Sequence, residues 1–258
     1  MDLAHGAGQD STISGKGAQF VAGKDLTLQA EGDIHLLAAK GTSSEHTTSS
    51  SSSGGVGVAF GMEQGKGAFA GFNANASMSR GHVDGNGSQY QLSELNAGGK
   101  LNLVSGGNVT LQGIVKGQQV VGDIAGDLKL DSLQDTSTYH SQNQTLSAEG
   151  TYGAGFSGSI SYSQQKMDAD YASVQRQSGI QAGDGGFQVK VGGTTTLNGA
   201  ALASSDKGVA DGKNSLQTGA LVLKDIDNHT DYSASSTSVS VGTGGPGGGV
   251  ICPDPHGH

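Results

Sequence analysis

The chain reads Gly-Gly-Lys-Leu-Asn-Leu-Val-Ser-Gly-Gly-Asn-Val-Thr-Leu-Gln-Gly at positions 98–113. Leu101 and Leu103 flank a polar Asn, and Val109 and Leu111 flank a Thr in the same way. Alternation with a period of two is typical of a β-strand that has one buried face. The paired glycines before each alternation favour tight turns, because glycine tolerates backbone conformations that other residues avoid. We therefore predict two short strands joined by a tight turn, with the four apolar side chains pointing inward.

The same pattern occurs in three rounds, at residues 11–40, 95–130 and 180–223. A unit that recurs in this way buries its apolar face against its neighbour, so the pattern predicts an all-β stacked repeat protein. Coils of about twenty residues would bring successive strands into register at roughly 4.8 Å per layer. The other apolar positions predicted to stack are Leu26, Leu28, Ile34, Leu36, Leu128, Leu130, Val189, Val191, Leu197, Leu221 and Leu223.

A longer repeat runs across the whole chain. Glu45 and the residues after it match the segment that begins at Asp135, and a third copy begins at Asp227, at offsets of 90 and 92 residues. We predict one region of repeats over residues 1–242, with a long-range period of about 90 residues. Residues 243–258 are predicted to be a separate Gly/Pro-rich tail, since all 3 prolines of the chain lie there.

Segments of a second kind lie between the repeats, and residues 152–162 are the best example. Apolar or aromatic side chains alternate there with Gly and Ser. We predict one long amphipathic strand that folds back on the repeats as part of a lateral sheet. The alternative is that its apolar face meets a membrane or a partner, with Tyr152, Phe156, Ile160 and Tyr162 as candidate contact residues. Residues 56–62 carry a similar pattern.

The composition argues against several classes of function. The formal net charge is -9, and the 14 Lys and Arg residues form no basic stripe, so we expect no nucleic-acid partner. The single cysteine, Cys252, excludes an intramolecular disulfide framework and a cysteine-based zinc site. With 46 Gly, 6 Phe and no Trp, the core has to be thin and built from Leu, Val and Ile.

No metal-binding constellation is evident in the sequence. The 8 histidines are spread singly, and His256 and His258 lie near Cys252 in the tail, where binding of a metal would be incidental. The segment that starts at Asp84 is similar to the start of a calcium loop, but Leu95 occupies the position of the bidentate glutamate. We therefore expect no metal site and no cofactor.

The repeats resemble a known family. The segments Gly-Lys-Asp-Leu-Thr-Leu-Gln-Ala-Glu-Gly-Asp-Ile-His-Leu (23–36) and 98–113, interrupted by Ser/Thr-rich amphipathic strands, resemble the haemagglutinin repeats of filamentous haemagglutinin and of contact-dependent growth inhibition exoproteins. The resemblance covers roughly residues 11–242. It implies a right-handed parallel β-helix with lateral amphipathic strands or hairpins. Neither the secretion domain nor a toxin module of those exoproteins is recognisable, which indicates an internal segment or a truncated copy.

The resemblance also implies a location and partners. Such proteins are secreted through an outer-membrane pore by two-partner secretion and are displayed at the bacterial cell surface. They act as adhesins and as scaffolds for toxin delivery, so the implied partners are the secretion pore and a receptor or the outer membrane of a target cell. A strand of about ten residues with one apolar face has the length that spans an outer membrane, which fits residues 152–162.

Two rival interpretations remain. An integral outer-membrane β-barrel would need amphipathic alternation in every strand, whereas residues 26–36 contain a turn after too few residues to span a bilayer. A β-helical polysaccharide-degrading enzyme would need paired carboxylates beside a cationic group in a groove. The pairs Asp168/Asp170 and Asp225/Asp227 have no evident basic partner, and the only arginines are Arg80 and Arg176. We therefore expect no enzyme activity.

Overall fold

A computed structural model describes residues 2–5, 11–63, 67–153 and 155–244, and this part of the chain is almost entirely β-structure. The predicted all-β class is confirmed. The tail residues from 245 onward, including Cys252, His256 and His258, lie outside the described residues. The strands are β1 (Asp2–His5), β2 (Ile13–Lys16), β3 (Gln19–Ala22), β4 (Leu26–Ala30), β5 (Ile34–Leu37), β6 (Ala39–Glu63), β7 (Gly67–Gln91), β8 (Ser93–Ala97), β9 (Lys100–Ser105), β10 (Val109–Leu111), β11 (Gly113–Ile124), β12 (Leu128–Asp131), β13 (Asp135–Tyr152), β14 (Phe156–Ser173), β15 (Gly179–Val191), β16 (Thr194–Asn198), β17 (Ala201–Ser204), β18 (Ser215–Gln217), β19 (Ala220–Lys224) and β20 (His229–Gly244), and the described residues also contain the helix α1 (Asp206–Ala210).

The chain forms two compact units, each built from three separate segments. The first unit takes in the residues up to Thr42 together with 88–136 and 171–229. The second unit takes in 43–87, 137–170 and the residues from Thr230 onward. The chain therefore leaves the first unit three times to contribute strands to the second.

The first unit contains two sheets in which the strands pair in parallel. One has nine strands, with β1, β4, β9, β11, β15 and β17 in that order along its main path. The other has six strands in the order β19-β16-β12-β10-β5-β2. Leu101 pairs with Val120 in the first sheet and Val109 with Leu128 in the second, an offset of 19 residues in both. The predicted spacing of about twenty residues between stacked strands is thus confirmed for these rungs.

One apolar core fills the first unit, and its side chains come from alternate positions of the paired strands. Leu101, Leu103, Val109 and Leu111 are each at most 3% exposed, so their predicted inward orientation is confirmed. Full burial of a Leu or Val side chain contributes about 1.5–3 kcal/mol before entropy is counted. The residues predicted to stack above and below them are buried as well, namely Leu26, Leu28, Ile34, Leu36, Leu128, Leu130, Val189, Val191 and Leu197.

Leu221 and Leu223 differ from this prediction. They pair in the expected parallel register with Thr195 and Leu197, yet they are 50% and 67% exposed. The reason is their place in the sheet, because β19 is its terminal strand and no further strand pairs beyond it among the described residues.

Side chains with a carboxylate or amide oxygen connect the turns of successive rungs. Asp33 Oδ1 accepts a hydrogen bond from the Asn108 amide at 2.6 Å, Asn108 Oδ1 accepts one from the Asp127 amide at 2.9 Å, and Asp127 Oδ1 accepts one from the Thr194 amide at 2.7 Å. This turn relay satisfies main-chain donors where the chain bends. Asp25 makes the same bond, at 2.7 Å, to the Lys100 amide.

The paired glycines of the repeat allow the turns to stack. A Cβ atom at Gly106 would collide with the carbonyl group of Glu31, and one at Gly98 would collide with the carbonyl group of Gly23. Both glycines donate main-chain hydrogen bonds to the preceding rung, from Gly106 to Ala30 at 3.0 Å and from Gly98 to Ala22 at 2.8 Å. Any larger residue there would push adjacent turns apart.

The second unit is a five-stranded sheet in the order β20-β14-β13-β7-β6. Its two hairpins are antiparallel, because the cross-strand contacts of each run in opposite order: His46 meets Asp84 and Ser53 meets Ser77 in the first, and Ser147 meets Ser161 and Glu149 meets Ser159 in the second. Ser53 and Ser77 lie 2.8 Å apart across β6 and β7, and Ser147 and Ser161 lie 2.6 Å apart across β13 and β14. No residue of the apolar core belongs to this unit within the described ranges.

The prediction of one strand over residues 152–162 is wrong. Strand β13 ends at Tyr152 and β14 begins at Phe156, with a turn between them in which the Gly153 amide donates to the Gly155 carbonyl at 2.9 Å. Glycine without a Cβ permits such a turn. Tyr152 and Phe156 still share one face after the reversal, so the alternation of apolar and small residues continues through the turn and conceals it.

The only helix in the described part of the chain is α1, which has 5 residues, and its first turn is capped by Ser205, whose Oγ accepts the Gly208 amide. Among the described residues, helical segments therefore fall short of the length and apolar character needed to cross a membrane.

We predict that Leu111→Asp abolishes cooperative folding of the first unit, because it places an unpaired charge in the core. Thr110→Asp is the matched control, since Thr110 lies next to Leu111 on the same strand and only partly buried. Thermal unfolding followed by circular dichroism should lose its cooperative transition in the first variant only. An unchanged transition in both Leu111→Asp and Leu103→Asp would refute the inward assignment.

We also predict that the turn relay stabilises the stack. Asp127→Ala removes the acceptor for the Thr194 amide and should lower the free energy of unfolding by about 1–2 kcal/mol. Asp127→Asn should retain most of that stability, because Asn108 already fills the equivalent position in the neighbouring turn. Urea denaturation measures the free energy of unfolding of both variants, and Asp123→Ala serves as a surface control. Equal loss in the Ala and Asn variants would exclude the hydrogen bond as the cause.

Candidate functional site

One face of the second unit carries a set of exposed apolar side chains, which we call the apolar face. Alternation along each strand places its members on the same side of the sheet. All of them are at least one-third exposed. The apolar face consists of Val56, Val58, Phe60, Phe72, Met78, Leu146, Tyr152, Phe156, Ile160 and Tyr162.

The four candidate contact residues all lie on the apolar face. Tyr152 and Phe156 are each 65% exposed and stand at the two sides of the β13–β14 turn. Ile160 is 59% exposed and Tyr162 is 37% exposed, both further along β14. The structure therefore brings the four together on one hairpin, rather than along one strand.

A shallow groove of about 330 Å³ joins this hairpin to the neighbouring one. Val56 of β6 and Phe72 of β7 line it together with Tyr152 and Phe156. The groove is lined mainly by apolar and small side chains, and it brings Phe72, which lies five residues into β7, beside the two aromatic rings at the β13–β14 turn. Such a surface is better suited to contact with an apolar partner than to exposure to water.

The opposite face of the sheet carries small polar side chains. Ser79 and Thr145 connect β7 and β13 through a 3.3 Å hydroxyl contact, and Ser159 donates to Glu149 at 2.9 Å across the β13–β14 hairpin. Small hydroxyl side chains therefore connect neighbouring strands on this face, while the apolar side chains project from the other. The sheet is amphipathic across its thickness.

Nearer the other end of the β6–β7 hairpin, two imidazole rings converge on one carboxylate. His46 Nδ1 donates to Asp84 Oδ1 at 2.6 Å, and His82 Nε2 donates to Asp84 Oδ2 at 2.6 Å. The two rings are T-shaped, with centroids 5.0 Å apart. The hydrogen bond from His46 is the largest influence that holds the pKa of the Asp84 carboxyl below its ordinary value, and the bond from His82 acts in the same direction.

A second pair of the same type lies in the next hairpin, where His140 Nδ1 is hydrogen-bonded to Asp168 Oδ1. The expectation that Asp168 has no basic partner is therefore wrong. Arg176 likewise forms an ion pair, with Glu94 in the first unit. These partners lie 28 and 82 residues apart in sequence, so only the fold brings them together.

Sequence reasoning missed the cluster of His46, His82 and Asp84. His82 and Asp84 are two residues apart on one strand, so alternation alone places them on one face. His46 lies 38 residues from Asp84 and reaches it only through the register of the hairpin. The search for histidines at short spacing could not detect a site assembled across two strands.

Comparison with known proteins places these features in a family. The profile of the Hemagglutinin repeat family matches residues 2–146, more than half of the chain. Toxin CdiA of Escherichia coli is 41% identical over 255 residues, which is 95% of this chain and 8% of the relative. No solved structure matches.

Two further relatives carry the names of nucleases. The 16S rRNA endonuclease CdiA of Enterobacter cloacae is 42% identical over 92% of this chain, and the deoxyribonuclease CdiA of Dickeya dadantii is 37% identical over 89% of it. The chain spans only 7% of the length of each of these two. With the stacked strands, the turn relay and the family match in agreement, this chain belongs to the Hemagglutinin repeat family.

Proposed function

We propose that this chain is a segment of a secreted, surface-displayed exoprotein of the filamentous haemagglutinin and contact-dependent growth inhibition type. The family match and the identity to CdiA proteins support this assignment. The relatives are named as toxins and nucleases, but the chain corresponds to 7–8% of their length. We assign the toxic activity to other parts of such proteins and propose that this segment has no enzyme activity of its own.

The first unit would act as a stalk in the form of a right-handed parallel β-helix. Three features support this shape: parallel pairing in both sheets, a 19-residue offset between β9 and β11 and between β10 and β12, and a single core of Leu, Val and Ile. Each coil would lengthen the rod by roughly 4.8 Å. Main-chain hydrogen bonds then run along the rod, so that bending it strains many of them together. A rod of this kind holds a contact site or a toxin at a distance from the cell that displays it.

Export would use an outer-membrane pore of the two-partner secretion type. A chain that crosses a narrow pore has to be unfolded, and disulfide loops hinder such passage. The presence of a single cysteine in 258 residues is compatible with this route. Folding outside the cell would then rely on stacking of the coils rather than on covalent cross-links.

The second unit would supply the contact with the target cell, at its outer membrane or at a receptor there. The observation that carries this proposal is the apolar face, which is exposed in a unit that shares no residue with the apolar core. An uncovered apolar surface of this kind marks an interaction site. Of the two partners, we favour the membrane because of the dimensions of the face.

Those dimensions follow from strand geometry. The apolar face covers residues 72–78 of β7 and residues 146–152 of β13, which at about 3.3 Å per residue corresponds to roughly 20 Å. The apolar band of outer-membrane strands is about 25 Å tall. Aromatic Tyr152 and Phe156 lie at one end of the face beside the β13–β14 turn, and Phe72 lines the same groove.

We predict that Phe156→Asp weakens binding to outer-membrane vesicles by about tenfold, because it puts a charge in place of an aromatic ring whose burial in the membrane would contribute about 1.5–3 kcal/mol. Ser157→Asp is the matched control, since Ser157 adjoins Phe156 but faces the polar side. Vesicle flotation measures binding, and circular dichroism should show the same β-signal in both variants. Equal binding of the wild type and Phe156→Asp would leave the apolar face with a structural role only.

A further inference from the structure

We propose that His46, His82 and Asp84 form a binding site for a first-row transition-metal ion of the Zn²⁺, Ni²⁺ and Cu²⁺ group. Their ligand atoms all lie within 4.8 Å of one another. Two imidazoles and one carboxylate form a donor set typical of these ions, whereas Mg²⁺ and Ca²⁺ prefer oxygen ligands alone. The site is assembled on the β6–β7 hairpin, away from the apolar tips.

The geometry needs only a small adjustment to hold an ion. Zn²⁺ binds imidazole nitrogen and carboxylate oxygen at about 2.0–2.2 Å, so two ligands in a tetrahedral arrangement lie roughly 3.4 Å apart. The nitrogen–oxygen separations are 2.6 Å at present, because a proton bridges each imidazole to Asp84. Replacing the two bridging protons by one ion would widen each pair by less than 1 Å.

The donor atoms are oriented for this exchange. Nδ1 of His46 and Nε2 of His82 both point at the Asp84 carboxylate. Each ring would present its lone pair to the ion, and its proton would pass to the other ring nitrogen or to solvent. Deprotonated Asp84 supplies the negative charge that the ion requires.

The site is open to solvent on one side. The side chains of His46, His82 and Asp84 are 67%, 43% and 42% exposed, so an ion can enter and water can complete its coordination. One ligand comes from β6 and two come from β7. A bound ion would therefore join the two strands of the hairpin and stabilise their register.

The next hairpin contains a natural comparison for this site. His140 and Asp168 repeat the pair of His46 and Asp84, but Lys166 stands two residues before Asp168, where the first hairpin has His82. A lysine ammonium has no lone pair and cannot bind an ion near neutral pH. The second hairpin should therefore bind no ion until Lys166 is replaced by a ligand.

The experiment is a Zn²⁺ titration of the full chain by calorimetry. It uses a background in which Cys252→Ser, His256→Asn and His258→Asn remove the potential ligands of the tail. We expect one ion per chain. His46→Asn and His82→Asn should each weaken binding by about tenfold or more, whereas His35→Asn, at a histidine of the first unit, should leave it unchanged. Lys166→His should raise the stoichiometry to two ions per chain.

Cobalt replacement provides a second measurement. Co²⁺ at the site should give the visible absorption of a four- or five-coordinate ion in the wild type, and His82→Asn should abolish it while circular dichroism stays the same. Binding that disappears with the tail substitutions, or that is unaffected by both His46→Asn and His82→Asn, would overturn the proposal. Failure of Lys166→His to add a second ion would show that the strand register does not define the ligand set.

Discussion

Asp33, Asn108 and Asp127 each accept a main-chain amide hydrogen from the equivalent turn of the next rung, and this contact fixes how successive rungs stack. The turn relay has two requirements. Each turn needs a short side chain with an acceptor oxygen, and the preceding positions need glycine so that the backbones can approach. The segments Gly32-Asp33, Gly106-Gly107-Asn108 and Gly126-Asp127 meet both requirements. Once the turns are stacked, the leucine side chains of the strands on either side point into the core.

The second unit depends on register in a different way. It has no share in the apolar core, so cross-strand contacts between small polar side chains hold its strands in place. The same register decides which side chains gather on the other face. It gathers aromatic rings of two hairpins at one groove, and it brings His46 to Asp84 further along. A slip of one residue would move every one of these side chains to the opposite face. The apolar face and the proposed metal site are therefore both consequences of hairpin register.

Sequence reasoning predicted what depends on local alternation. The inward orientation of Leu101, Leu103 and Leu111 could be predicted, because these leucines alternate with polar residues that favour the outer face of the strand. The reversal between Tyr152 and Phe156 could not be predicted. Three residues separate the two, so both remain on the same face and the alternation of apolar and small residues continues without a break. The exposure of Leu221 could not be predicted either, because it depends on which strand ends the sheet. Of the candidate site, the apolar face was visible as a pattern, but the pair of His46 and Asp84 was not, because it requires the pairing of strands 38 residues apart.

The central claim is that parallel strands 19 residues apart lie directly next to each other. Thr110 and Lys129 are in-register partners in β10 and β12, and both side chains are accessible from outside the core. Nitroxide labels on these two positions, introduced as cysteines in a Cys252→Ser background, test the claim by electron paramagnetic resonance. We predict strong dipolar broadening, because adjacent strands are only about 4.8 Å apart. Spectra that equal the sum of the two singly labelled proteins would contradict the stacking and every functional conclusion that rests on it.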